Sequence, residues 1–187
     1  MEIDALITRI YNLPEASAEL FKSYVIEEAY PKGHILLREG RLEHYIYFIR
    51  SGIARAYSGT ENGEVTFWFG SEGDTLVSMK SYVANEKGYE NIELLENSEL
   101  FAINTASLRK LYETDTHIAN WGRKFAEYEL VNTEQRLIDL QVLTATERYR
   151  KLIAENPGLL QRVQLSHIAS YLGITPSSFS RIRAELK

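Results

Sequence analysis

The chain contains no cysteine. That excludes disulfides, iron–sulfur clusters, thiol redox centres and zinc ribbons, and it fits a cytoplasmic protein. No apolar run approaches the ~20 residues that a membrane-spanning helix needs, so no membrane partner is expected. The opening stretch MEIDALITRIYNLPE carries acids early and lacks a basic start before an apolar block. No signal peptide is therefore expected. Catalytic signatures are missing too: there is no G-x-G-x-x-G, no phosphate-binding loop and no H-E-x-x-H. His34, His44, His117 and His167 stand apart from one another, and Glu27-Glu28 reads as a solvated helix end. No metal, no cofactor and no enzymatic activity are expected.

What is present is an ordinary globular composition, 44% hydrophobic and 25% charged over 187 residues, enough for a real core. The charge is unevenly spread. From Thr144 to Lys187 there are seven basic residues (Arg148, Arg150, Lys151, Arg162, Arg181, Arg183 and Lys187) against three acids (Glu147, Glu155 and Glu185), a net of +4. With −5 on the whole chain, −9 falls on residues 1–143. A basic end on an acidic body points to a polyanion partner or to a solvated basic face.

The texture along the chain changes twice. Residues 1–29 read as helical, with Leu20, Phe21, Tyr24 and Val25 recurring on one face and Ser17 as an N-cap. From His34 to Ile103 come short runs rich in β-branched and aromatic residues: HILLRE, HYIYFIR, IARAYS, EVTFWF, NIELLE and LFAI. Glycine turns separate them, and Asn62-Gly63 is the strongest hairpin signal. Such a series predicts a compact antiparallel barrel or sandwich, with Tyr45, Tyr47 and Trp68 as core or pocket lining. Helical texture returns at Thr105, a candidate cap for a short helix carrying Leu108 and Leu111. From about Asp115 to Leu143 no proline intervenes, and Ile118, Trp121, Phe125 and Tyr128 follow a coiled-coil spacing. A helix of roughly 28 residues is about 42 Å long. It either bridges two parts, pairs with a second copy, or lies on the barrel.

The last segment, VQLSHIASYLGITPSSFSRIRAELK, is the most informative. Leu165, Ile168, Ala169 and Leu172 form an apolar face on a helix of two turns, and Gly173 is suited to end it in the left-handed conformation. Thr175 then serves as N-cap and Pro176 as first helical residue. At ~100° per residue, Phe179, Ile182 and Leu186 share the buried side of the second helix. Ser177, Arg181 and Ala184 lie opposite, with Ser178 and Ser180 on the flanks. A slender face bearing one arginine can enter a DNA major groove, where arginine donates two hydrogen bonds to guanine. Thr175, Gln164 and the serines near the helix starts suit phosphate contacts. Arg183 lies nearer the buried side, and His167 is expected to be solvated or to face phosphate.

IASYLGITPSSFSRIR resembles the helix-turn-helix of the cyclic-AMP receptor protein/Fnr (Crp/Fnr) regulators. TERYRKLIAENPGLLQRV resembles the segment leading into it in that family. YPKGHILLREG, YIYFIRSGIARAYS and GDTLV resemble the family's cyclic-nucleotide-binding β-roll, with glycine turns at Gly33, Gly52 and Gly73. The resemblance implies an α+β fold: an antiparallel β-roll of the double-stranded β-helix type with flanking helices over residues 1–114, a dimerisation helix over 115–143, and a winged-helix-like DNA-binding domain over 144–187. It further implies a homodimer, double-stranded DNA as partner, and RNA polymerase as a second partner.

The family's cyclic-AMP pocket uses a glutamate for the ribose and an arginine for the phosphate. Counted from Gly73-Asp74, those positions are Ser78 and Gly88, and neither can do the work. Lys80 and Lys87 lie nearby but lack arginine's fork geometry, and Tyr89 completes the candidate pocket. Cyclic AMP is therefore not expected to bind in the usual way. The pocket is left to another small-molecule effector or to the protein's own aromatic side chains. A sensor whose output is protein contact is the rival reading.

Overall fold

The structure, a computed structural model, describes residues 1–61 and 63–185. Asn62 of the hairpin signal, Leu186 of the apolar stripe and Lys187 of the basic tail lie outside them.

Two short helices, α1 (Ile3–Ile10) and α2 (Glu15–Lys22), open the chain. Eight strands follow: β1 (Val25–Tyr30), β2 (Ile35–Leu37), β3 (Tyr45–Ser51), β4 (Ala54–Thr60), β5 (Gly63–Gly70), β6 (Thr75–Leu76), β7 (Asn91–Leu94) and β8 (Ser98–Asn104). A short helix, α3 (Met79–Ala84), interrupts them. The strands pair antiparallel in two four-stranded sheets, ordered β1-β8-β3-β6 and β2-β7-β4-β5. This is the expected mixed fold with antiparallel sheets. Two expectations fail at the N-terminal end. Residues 25–30 form a strand rather than helix, and α2 starts after Pro14, leaving Ser17 inside it, where it donates to Asp115 at 2.8 Å.

Both central strands of the first sheet are buried on both faces, and side-chain alternation divides their residues between two cores. Ile46 and Phe48 of β3, with Phe101 and Ile103 of β8, face the helices. Tyr47, Ile49, Leu100 and Ala102 face the interior of the roll. Tyr45, expected in the core, starts β3 at 36% exposure because the strand is still outside the sheet's covered region there.

The C-terminal half is helical: α4 (Thr105–Thr114), α5 (Thr116–Val142), α6 (Ala145–Glu155), α7 (Leu159–Arg162), α8 (Leu165–Tyr171) and α9 (Pro176–Glu185). The cap of α4 is Asn104, whose side chain accepts from Ala106 and Ser107; Thr105, expected there, is the first helical residue. Asp115 caps α5, and a reciprocal Thr144–Glu147 capping box opens α6. No strand follows Asn104 among the described residues, so α8 and α9 carry no wing there.

The long helix changes partner midway. Ile118, Trp121 and Phe125 are buried against the roll, and Trp121 Nε1 donates to the Ile7 carbonyl at 3.1 Å. Tyr128, the fourth member of the same expected stripe, is 54% exposed. From there a second, more exposed apolar stripe of Tyr128, Val131, Ile138 and Val142 runs along a neighbouring face, about 100° around the helix.

Candidate functional site

The first site is the α8–α9 pair. Gly173 adopts φ +69° and ends α8, as left-handed backbone requires of a residue without a Cβ. Thr175 Oγ1 accepts from the Ser178 amide at 3.2 Å and so caps α9. Phe179 and Ile182 are buried, and the Phe179 ring meets Tyr149 of α6 edge-on at 5.2 Å. Ser177, Ser180, Arg181 and Ala184 are exposed on the other side, with Ser178 half-buried. Hydroxyls are tied together at the helix start: Thr175 Oγ1 lies 3.0 Å from Ser177 Oγ, and Ser180 donates to the Pro176 carbonyl. Gln164 is exposed ahead of α8. Arg183 is half-buried, its guanidinium 5.8 Å from the Phe179 ring centroid.

Two expectations for α8 fail. Leu165 is 41% exposed, because it begins the helix outside the Ile168–Ala169–Leu172 seam. His167 is half-buried rather than solvated, its Nδ1 without a partner among the described residues. Burial first, and then the charge of Arg55, push its imidazole below the ordinary value.

Both follow from where α8 sits, which is on β5. The Thr66 amide donates to Ser170 Oγ at 2.9 Å, and Ser170 Oγ donates to the Glu64 carbonyl at 3.2 Å. The rings of Phe69 and Tyr171 lie 5.1 Å apart. Beneath them is Arg55, 5% exposed, which donates to Glu93 at 2.8 Å and Glu64 at 2.6 Å and stacks 4.1 Å from the Tyr57 ring. Arg162 of α7 fastens the edge, reaching Glu72 at 2.8 Å and also Glu96. That guanidinium holds the Glu72 carboxyl down to about 2.

The basic tail is therefore largely committed. Arg148 donates to the Leu172 carbonyl at 2.8 Å, Lys151 pairs with Asp139, and Arg162 is paired as above. Arg150 and Arg181 are the exposed cations of the described tail that no ion pair holds among the described residues. The net charge overstated what is available to a polyanion, because charge counting does not see partners across the fold.

The second site is a cavity of about 330 Å³ between the roll and α5. Phe67, Trp68, Val77 and Ile92 wall it on one side, Leu137 and Leu140 on the other. Of the expected pocket residues, Tyr89 lines it while 58% exposed to solvent. Ser78 and Gly88 are buried together beside it: a Cβ on Gly88 would lie 2.6 Å from Ser78 Oγ and 3.0 Å from Glu90 Oε1, so any side chain there would have to displace them. Lys80 is not among the lining residues; it is exposed and paired with Glu86 at 3.1 Å.

Three charged residues of the cavity escaped sequence reasoning: Glu90, Glu129 and Arg136. Glu90 is 5% exposed and its Oε1 has no partner among the described residues. Burial, and secondarily the Asp74 carboxylate, raise Glu129 to about 7. Arg136 lines the cavity and stacks 3.7 Å from the Tyr171 ring centroid. Glu90 follows Gly88-Tyr89, and its nearness to the expected pocket was the one signal that could have found it.

Residues 27–115 match the family described as cyclic nucleotide-binding domain. No curated protein matches the sequence. Among solved structures, FixK2 from Bradyrhizobium japonicum is similar with a TM-score of 0.74 at 21% identity, over 87% of this chain and 84% of that one. The catabolite activator protein of Thermus thermophilus gives 0.60 at 19% identity, covering 95% and 85%. A Crp/Fnr-family protein from Eubacterium rectale gives 0.73 at 16%, covering 93% and 83%. At these identities the likeness is one of fold. No helix among the described residues is long and apolar enough to cross a membrane.

Proposed function

We propose that the protein is a sequence-specific DNA-binding transcription regulator, not an enzyme, acting in the cytoplasm as a homodimer. The observation that carries this is the amphipathic split of α9: Phe179 and Ile182 buried, Ser177, Ser180 and Arg181 exposed along one slender face. Residues 1–114 act as sensor, 115–143 pair with a second copy, and 144–187 read DNA. Arg181 contacts a base, while Thr175, Ser177, Ser178, Ser180 and Gln164 contact phosphates or base edges. Two reading helices on a two-fold axis require half-sites about 34 Å apart. By resemblance, RNA polymerase is the protein partner once DNA is bound.

Cyclic AMP is not the effector. Gly88 and Ser78 stand where a cation and a carboxylate are needed, and Lys80 is paired elsewhere. Micromolar binding of cyclic AMP by calorimetry would disprove that part. The DNA reading is tested by selecting duplexes from a random pool with the full chain. A palindromic consensus is expected; an unselected pool refutes the reading. A sensor acting through protein contact has one observation in its favour, the internal use of Arg148, Lys151 and Arg162, and salt-sensitive DNA binding would eliminate it.

A further inference from the structure

The charges around the cavity have the wrong sign for an anion. Glu90 and Glu129 line it, against a single guanidinium, Arg136, which is already committed to the ring and carbonyl of Tyr171. An anion entering there gives up its hydration and meets two carboxyl groups against one guanidinium that already holds a ring and a carbonyl, a costly burial. The walls meanwhile call for an apolar body: Trp68, Phe67 and Ile92 from the strands, Leu137 and Leu140 from α5. At about 330 Å³ the space falls at the small end of the ~300–1,000 Å³ typical of small-molecule sites.

Three buried polar atoms around the cavity are left over: the Arg136 Nε donor, whose guanidinium lies against Tyr171, and two oxygens. Glu90 Oε1 and Ser78 Oγ are both buried and both without a hydrogen-bond partner among the described residues. They converge on Gly88, whose missing side chain leaves them the room. A buried acceptor without a donor is costly, so native structures rarely leave one. What Glu90 Oε1 lacks is an N–H donor, and a positively charged one satisfies a carboxylate best.

We propose that this cavity is a receptor for a small apolar amine, an aryl- or alkylammonium whose N–H groups meet Glu90 and whose hydrophobic body lies against Trp68, Leu137 and Leu140. Glu129 supplies a second carboxyl group on the α5 wall, and Ser78 a neighbouring oxygen. The proposal rests on the reading of residues 1–114 as a sensor and does not depend on DNA binding.

The probes are tryptamine, tryptophol and indole-3-propionate, which share a ring and differ in the head group, with cyclic AMP as a fourth. Isothermal titration of the full chain should show tryptamine binding about tenfold or more tighter than the other three, the factor that one charged hydrogen bond supplies. Glu90→Gln keeps the shape and removes the charge. It should weaken tryptamine by about tenfold and leave tryptophol unchanged. Because Glu90 is buried, a second variant guards against misfolding. Leu140→Trp, at a position 43% exposed on α5, fills the cavity and should abolish tryptamine binding with an unchanged melting temperature. Equal or tighter binding of indole-3-propionate or cyclic AMP overturns the proposal. So does a tryptamine affinity indifferent to both variants, or the absence of binding by tryptamine, phenethylamine and hexylamine alike. A protein that ignores amines yet selects a DNA consensus leaves the regulator reading standing, and one that binds amines without selecting DNA refutes only that reading.

Discussion

The guanidinium of Arg136 lies 3.7 Å from the centroid of the Tyr171 ring and donates to the Tyr171 carbonyl. Arg136 belongs to α5 and lines the cavity; Tyr171 is the last residue of α8. One side chain therefore touches both the candidate effector site and the helical pair proposed to read DNA. The planar cation stacks on the ring while the carbonyl at the helix end, negative by the helix dipole, accepts its proton.

Removing this clasp should free α8 from the roll before it unfolds anything else. A partly desolvated cation–π contact with a charged hydrogen bond is worth about 2 kcal/mol, roughly thirtyfold in a docked-to-undocked ratio. Arg136→Ala is thus expected to speed amide exchange across Leu165–Tyr171 while leaving β3 and β8 protected. Lysine cannot stack as a plane, so Arg136→Lys should recover less than half of the protection. Exchange in α8 that matches the wild type in both variants would show that Ser170 and Phe69 hold the pair unaided.

The pH dependence centres on Glu129. Its carboxyl titrates at about 7 in the folded protein against an ordinary 4.5, raised by burial and then by Asp74. Between those values the native state binds more protons than the unfolded chain, so stability falls as pH rises through this window. The contribution is complete below about 4.5 and gone above about 7. Glu129→Gln has no proton to lose and should melt higher than wild type at about pH 8, by ~3 °C, with the difference vanishing near pH 4.5. Parallel melting profiles for the two proteins would exclude a raised Glu129.

The roll was legible because its strands carry dense β-branched and aromatic runs between glycine turns. β1 was not, for a physical reason. It is an edge strand, with Glu27 exposed and Glu28 half-buried along it, so its half-polar pattern follows on from helical texture without a break. The α8–α9 pair was legible from local signals alone: Gly173, Thr175, Pro176 and the apolar spacing. The cavity was not. Glu90, Glu129 and Arg136 lie on separate segments, and no local rule announces that folding lines one cavity with all three. The same limit misled the charge count, since Arg162 finds Glu72 and Glu96 only once the chain is folded.

On α9, the helix proposed to read DNA, two arginines two residues apart should behave differently. Arg181 is exposed, and Arg183 is half-buried above Phe179. Arg181→Ala should cost about 1–3 kcal/mol of specific binding and relax the preference at one base pair of each half-site. Arg183→Ala should weaken all sequences evenly and lower thermal stability through lost packing on the ring. Both are read by competition binding against the selected consensus and by melting. Equal loss of specificity in the two would mean that α9 is rotated on the DNA relative to the exposed face described above.

Assembly should depend on the more exposed stripe of α5. Tyr128, Val131, Gln135, Ile138 and Val142 recur three and four residues apart, as a seam between two helices requires. Val131 and Val142 are 61% and 72% exposed, more surface than a lone helix usually gives to branched apolar side chains. A charge there costs a monomer little, but in a two-fold seam it faces its own copy. Ile138→Glu, at a site 45% exposed, is therefore expected to convert dimer to monomer in sedimentation velocity at about 10 µM, with the roll still folded by circular dichroism. Leu130→Glu is the control: 69% exposed but roughly 100° around the helix from the stripe, it should leave the dimer intact. A wild-type monomer, or a dimer broken by Leu130→Glu and not by Ile138→Glu, would place the contact elsewhere and remove the two-fold spacing from the DNA prediction.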